Sequence, residues 1–364
     1  MSEQPVISAI HPGLLLERAL KEQGINQRQL SIAIGKPTSV INDILHERRS
    51  ITPEIAYLLE AVIIDYTAED WLTYQALYDL SQVKQKDEIV QRRESIDQWN
   101  QLKEIINPNY LKKRLGLSGS VTENVNDIYK FFGNTSIEGI RERATRTADY
   151  FHKSTKQLTD LPNMMTWMLI VRKYSNEQAL ANKFNIKNID LLIKDLNYHF
   201  YCNKNTIQGL STILNQYGIK FITERNLEKT PIDGYSFWEG ENPTIAVTQR
   251  YNRIDNLAFA VFHELGHIVK HLSLDKTKDY VDSDTPSNDD RIEKEANDYA
   301  SMALKGNAPL DDLFREWQFA PFGSRRAIIN ASEQYKINRG IITGQFQHYC
   351  HSYAICRDLL DPIN

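Results

Sequence analysis

The sequence predicts a mainly α chain that carries one small β-sheet, an α+β fold. Three observations predict it. Helical periodicity with capping signals recurs between residues 11 and 66, around a glycine turn. Helical patterning with spaced aromatics continues to about residue 200. Short β-type runs gather between 219 and 248, immediately before an amphipathic helix. This divides the chain into a helix-turn-helix unit at 8–68, a helical connecting domain at 69–200 and an α+β domain with C-terminal helices at 201–364.

Composition bounds the function. A chain of 364 residues can hold two or three domains, each with its own core. It is 41% hydrophobic and 25% charged, with a net charge of -4. No apolar run reaches the roughly 18 residues of a membrane span, and the polar opening "MSEQPVIS" does not read as a signal peptide. A cytoplasmic protein with no membrane contact is expected. The three cysteines, Cys202, Cys350 and Cys356, fit reduced thiols and have no structural-zinc spacing. Any metal must therefore be held by carboxylates and by some of the nine histidines.

The elements follow in order. "HPGLLLERALKEQG" reads as an amphipathic helix ended by Gly24, and "NQRQLSIAIG" as a short second helix from Asn26 to Gly35. "PTSVINDILHERR" is a third, with Pro37 and Thr38 at its start. "TPEIAYLLEAVI" offers Thr52 as N-cap, Pro53 at the first helical position and Glu54 in the first turn. The middle region is charged from Lys84 to Arg93 and broken near Asn107 and Gly116. Trp99, Phe131, Phe132 and Trp167 mark it as folded. "TIQGLSTILNQYG" is a helix ended by Gly218, followed by the candidate strands "IKFIT", "DGYSFW" and "PTIAVT". An acidic, turn-rich loop from Ser273 to Asp290 leads into the helix "RIEKEANDYASMAL", and residues 311–360 read as helical.

"AFAVFHELGHIVKH" carries the chemistry. Wound as a helix, it gathers Val261, Phe262, Leu265, Ile268, Val269 and Leu272 on one flank and His263, Glu264 and His267 on the other. Imidazoles at i and i+4 can share one Zn²⁺, or Mn²⁺, while Glu264 between them can exchange protons with a metal-bound water. Satisfied helix histidines are the plainer alternative. A hydrolytic site needs a third protein ligand. His271 lies ~12 Å along an unbroken helix from His263, too far to share a metal. "RIEKEANDYA" supplies Glu293, with Asn297 four residues on and so on the same face. That pair is similar to the one in thermolysin-like zinc peptidases, where the glutamate binds metal and its partner orients the first histidine. Glu295 is the competing ligand. It points to the other side of the helix, so the two glutamates cannot both face the metal.

"FAVFHELGHIVKH", "EKEANDYA" and the preceding "YGIKFITE", "IDGYSF" and "NPTIAVTQRYNRID" resemble the ImmA/IrrE family of metallo-endopeptidases over roughly 200–305. The resemblance implies a zincin-like domain with a short antiparallel sheet. Its metal ligands would be His263, His267 and Glu293, with Glu264 as catalytic base and Asn297 behind His263. Proteolytic members of that family cut repressors that carry helix-turn-helix domains. "SMALKGNAP" departs from the family's more apolar continuation, which bears on the far wall of the cleft.

Residues 11–60 resemble the HigA-type branch of the XRE helix-turn-helix family. By that resemblance Thr38, Ser39 and Asn42 would face the major groove, with Gln27, Arg48 and Arg49 on phosphates. Residues 1–66 hold six Lys/Arg against eight Asp/Glu, so no basic stripe accompanies them. The expected protein is a cytosolic regulator that joins a DNA-binding domain, with a homodimer as a candidate assembly, to a zinc-dependent endopeptidase. Its substrate would be a partner protein such as a helix-turn-helix repressor. The alternative is a HigA-like repressor or antitoxin whose peptidase fold senses or binds a partner without proteolysis.

Overall fold

Capping residues punctuate the N-terminal helices. α1 (Pro12–Glu22), α2 (Gln27–Ile34), α3 (Thr38–Leu45), α4 (Pro53–Glu60) and α5 (Ala68–Val83) follow one another. At α2, Asn26 Oδ1 accepts from Gln29 N at 2.9 Å and Gln29 Oε1 accepts from Asn26 N at 2.8 Å. This capping box satisfies donors that would otherwise be orphaned, a gain of about 1 kcal/mol. Thr52 caps α4 through Ile55 N, with Pro53 in its first turn. Leu16, Leu30, Ile41, Ile44, Ile55, Leu59 and Trp71 close the core of this unit. α3 is shorter than "PTSVINDILHERR" predicts. It stops at Leu45, where the His46 ring meets Asn42 O at 2.8 Å and Glu47 takes φ 60, leaving Arg48 and Arg49 in a turn.

The computed structural model describes residues 10–148, 160–283, 290–319 and 321–364. The opening "MSEQPVIS", and residues 284–289 of the expected acidic loop, lie outside them. The chain divides into one unit up to Asp97 and another from Gln98 onward.

Helical elements continue with α6 (Asp87–Ile105), α7 (Pro108–Leu115), α8 (Val121–Phe131), α9 (Ile137–Ala148) and α10 (Leu161–Glu177). Asn107 caps α7 and Gly116 ends it, at the two breaks the sequence marks. α11 (Ile189–Cys202) and α12 (Thr206–Gln216) precede the sheet.

β1 (Lys220–Glu224), β2 (Ile232–Glu239), β3 (Asn242–Thr248) and β4 (Asp279–Ser283) form one four-stranded sheet in the order β1-β3-β2-β4. The sheet is small as expected but mixed instead of wholly antiparallel. β2 pairs antiparallel with β3 and β4, whereas β1 runs parallel to β3. The β2–β3 hairpin folds away from β1 and back, so β3 enters beside β1 in the same direction. β4 falls in the segment that reads as loop. Its Asp and Ser residues have poor strand propensity, and pairing of Tyr280 with Ser236 on β2 overrides it.

The sheet is covered on both faces, which explains why β3 is buried along nearly all its length. Met164, Trp167, Met168 and Val171 of α10 pack on Ile232, Tyr235, Phe237 and Ala246. On the other face, Phe221, Ile245 and Val247 meet the core built around α13 (Ile254–His267). Val261, Phe262 and Leu265 of α13 are fully buried, each worth about 1.5–3 kcal/mol. Beyond His267 the helix widens into a π-helical turn (Ile268–Leu272) before β4. α14 (Asp290–Lys305) packs against α13, followed by α15 (Leu310–Trp317), α16 (Pro321–Tyr335) and α17 (Arg339–Tyr349). A Cβ on Gly266 would stand 3.2 Å from Ala296 Cα and from Tyr299 Cβ, so glycine is what lets α14 approach this closely.

Candidate metal centre

Three elements converge on one buried point. α13 contributes His263, Glu264 and His267, which are 1%, 0% and 0% exposed. His263 Nε2 and His267 Nε2 lie 3.0 Å apart. α14 brings Glu293, whose Oε2 is 3.3 Å from His263 Nε2 and whose Oε1 is 3.8 Å from His267 Nε2. Asn297, one turn further on, has Oδ1 2.9 Å from His263 Nδ1. An amide oxygen only accepts, so His263 Nδ1 carries the proton and Nε2 faces the cluster. β4 adds Asp282, which falls with His263 and Glu264 in a second acid–imidazole group, and Tyr280, stacked on His267 at 4.6 Å and 9°.

The electrostatics of the centre couple the two imidazoles to the carboxylate. Burial opposes charge on His263, but the hydrogen bond to Glu293 and the charges of Asp282 and Glu264 lift it to about 9. Burial takes His267 down to about 4 against the pull of Glu293. Burial raises Glu293, and the two imidazoles outweigh it and hold it at about 2.

Glu264 is the second sign of fit. Both of its carboxylate oxygens are buried with no hydrogen-bond partner among the described residues, and burial pushes it well above the usual carboxylate range. Orphaned buried oxygens of this kind are costly unless a further group completes the site. A Cβ on Gly234 would stand 2.1 Å from Glu264 Oε1, so β2 leaves room for this carboxylate. The donor set of two imidazoles and one carboxylate, with an acid alongside, fits a borderline divalent metal such as zinc.

The structure thus brings together His263, Glu264, His267, Glu293 and Asn297. It sets Glu295 apart, with its carboxylate 3.2 Å from His271 Nε2 and 2.9 Å from Arg291 Nε. Sequence reasoning misses Asp282 and Tyr280. Their i, i+2 spacing within "DYVDS" is the available signal, since alternate strand residues share a face.

In the helix-turn-helix unit, Thr38 and Ser39 are exposed at the start of α3, and Gln27 is half-buried at the start of α2. Asn42 is half-buried and its Oδ1 accepts from Arg48 Nη2 at 2.8 Å. Arg48 also pairs with Asp43, while Arg49 is exposed.

Residues 215–312 match a peptidase family model described as an IrrE N-terminal-like domain. Among curated proteins, the chain is 34% identical over 83 residues to Virulence-associated protein A' of Dichelobacter nodosus, covering 23% of this chain and 72% of that one. To Virulence-associated protein I of the same organism it is 38% identical over 78 residues, covering 21% and 71%. Among solved structures it is similar to an addiction module antidote protein of a HigA family from Coxiella burnetii. That match is at 30% identity and TM-score 0.22, over 24% of this chain and 96% of the other. Antitoxin GraA is similar at 37% identity and TM-score 0.22, over 23% and 92%. The chain belongs to the family of these helix-turn-helix proteins, and in it that domain is fused to a metallopeptidase-family domain of the ImmA/IrrE type.

Proposed function

We propose that this chain is a regulator whose ImmA/IrrE-type domain hydrolyses a peptide bond in a partner protein, while its helix-turn-helix domain binds an operator. The observation that carries the peptidase half is the buried convergence of His263, His267 and Glu293 beside the unpartnered carboxylate of Glu264.

In this reading the two imidazoles and Glu293 hold Zn²⁺, with Mn²⁺ the alternative. When bound, the metal supplies a Lewis acid that polarises the scissile carbonyl and acidifies water. The rest falls to the chain. Asn297 keeps His263 with its proton on Nδ1 and its lone pair on Nε2. Glu264 takes a proton from the attacking water and passes it to the departing amine nitrogen. A raised proton affinity suits both halves of that transfer. β3 is paired on both sides, with β1 and with β2, and so has no free edge for a substrate strand. β4 ends the sheet next to the centre and offers its outer edge to an extended peptide.

Exposed Thr38 and Ser39 at the head of α3, with Asn42 behind them, support the operator half. Two cations near α3 are already paired: Lys36 is 2.7 Å from Glu54, and Arg48 is paired with Asp43. Full-length protein is expected to enrich a palindromic site from random DNA, with a shallow salt dependence. Arg49→Ala should weaken binding evenly across sequences and lower the salt slope by about one. A selection that enriches no sequence would contradict operator binding and favour a domain that grips a partner protein.

A further inference from the structure

We infer that Glu295 and His271 form an outer relay that orients His267, so Glu295 serves the metal centre through His271 and not as a ligand. The inference rests on the reading of His267 as a ligand, and hydrogen-bond direction carries it.

Glu295 Oε1 accepts from Arg291 Nε at 2.9 Å, and Oε2 lies 3.2 Å from His271 Nε2. Its ion pair with Arg291 keeps Glu295 a carboxylate, which only accepts. His271 must then donate from Nε2. A neutral imidazole that donates from Nε2 has a bare lone pair on Nδ1. That nitrogen is 3.2 Å from His267 Nδ1, which must therefore be the donor. His267 is left with its lone pair on Nε2, and Nε2 is the atom that faces His263 and Glu293. With His271 neutral, the chain of hydrogen bonds runs in one direction, from the carboxylate of Glu295 to the buried imidazole of His267.

His271 is placed for this by the break in the helix. The π-helical turn Ile268–Leu272 carries it, and Ser273 secures the turn with N and Oγ on Ile268 O at 3.0 and 2.7 Å. π-helical turns of this kind often mark functional positions. Tyr280 stacks flat on His267 and sits 5.3 Å from His271, restricting both rings. His271 faces the Nδ1 edge of His267, behind the ring as seen from the cluster, and so is a positioning residue. Asn297 does the same for His263, giving each histidine its own outer partner.

The test uses full-length, metal-free protein with nitrogen-isotope-labelled histidine. Long-range proton–nitrogen NMR should show His271 as the Nε2–H tautomer and His267 as the Nδ1–H tautomer. A nitrogen–nitrogen coupling through the hydrogen bond should join their Nδ1 atoms. Glu295→Leu should release His271 into a mixture of tautomers. In chelator competition with Zn²⁺, His271→Phe should weaken binding about 10–100-fold, and His271→Gln, whose amide oxygen can accept from His267, should recover most of it. His271 as the Nδ1–H tautomer in wild type would overturn the relay, as would unchanged zinc affinity in His271→Phe. If His271→Phe does not fold, the tautomer of His271 in wild type and in Glu295→Leu decides the matter. Because the tautomers are read without metal, wild type that shows the coupling but binds no zinc would leave the relay standing and defeat the ligand assignment.

Discussion

Glu264→Gln is expected to keep the metal and to lose proteolysis of the natural substrate by about 10²–10⁴-fold, the usual contribution of a positioned proton carrier. The substitution conserves shape inside a tight pocket, where a Cβ on Gly234 would already meet Glu264 Oε1 at 2.1 Å. His263, His267 and Glu293 are untouched, so metal content should match wild type. What disappears is a group that can both take and return a proton. Cleavage rate and metal content are measured on the same preparations. Equal cleavage by the two proteins would remove Glu264 from the chemistry, and loss of metal in the variant would make it a ligand instead.

Glu293→Ala carries the second large effect. Glu293 is the carboxylate that faces both Nε2 atoms, at 3.3 and 3.8 Å. Removing it leaves two buried imidazoles without the charge that balances them and opens a ligand position. Zinc affinity should fall by more than the ~10–100-fold expected for an outer partner. Glu295→Ala should stay within that smaller range, because its carboxylate reaches the centre only through His271. The two variants are compared side by side in chelator competition. If Glu295→Ala strips the metal and Glu293→Ala does not, the ligand set is wrong by two residues and Asn297 loses its purpose.

What could be read from sequence was what is decided locally. The caps at Asn26 and Thr52 act within three residues, and the i, i+4 pairs His263–His267 and Glu293–Asn297 are properties of single helices. The strands β1, β2 and β3 carry their own β-branched and aromatic patterning. What escaped depends on partners distant in sequence. β4 exists because β2 offers it an edge, and its Asp279 is held by Arg172 of α10 and by Tyr235 Oη at 2.7 Å. The parallel β1–β3 pairing follows from where the β2–β3 hairpin folds back, which no alternation of residue types encodes. The relay through His271 depends on a helix that widens at Ile268, a change no periodicity of residue types encodes. The reading that sets His271 aside as a ligand assumes an unbroken helix, whereas the structure places His271 in the π-helical turn. That reading gives no hint that His271 would back the histidine before it.

The central claim is that His263, His267 and Glu293 hold one divalent ion, and metal stoichiometry tests it most directly. Purified full-length protein and a His263→Ala variant are loaded with Zn²⁺, dialysed and analysed for metal per chain. The account predicts one tightly held ion per wild-type chain and essentially none in His263→Ala. Wild type without retained metal, or a His263→Ala variant that retains as much as wild type, would contradict it.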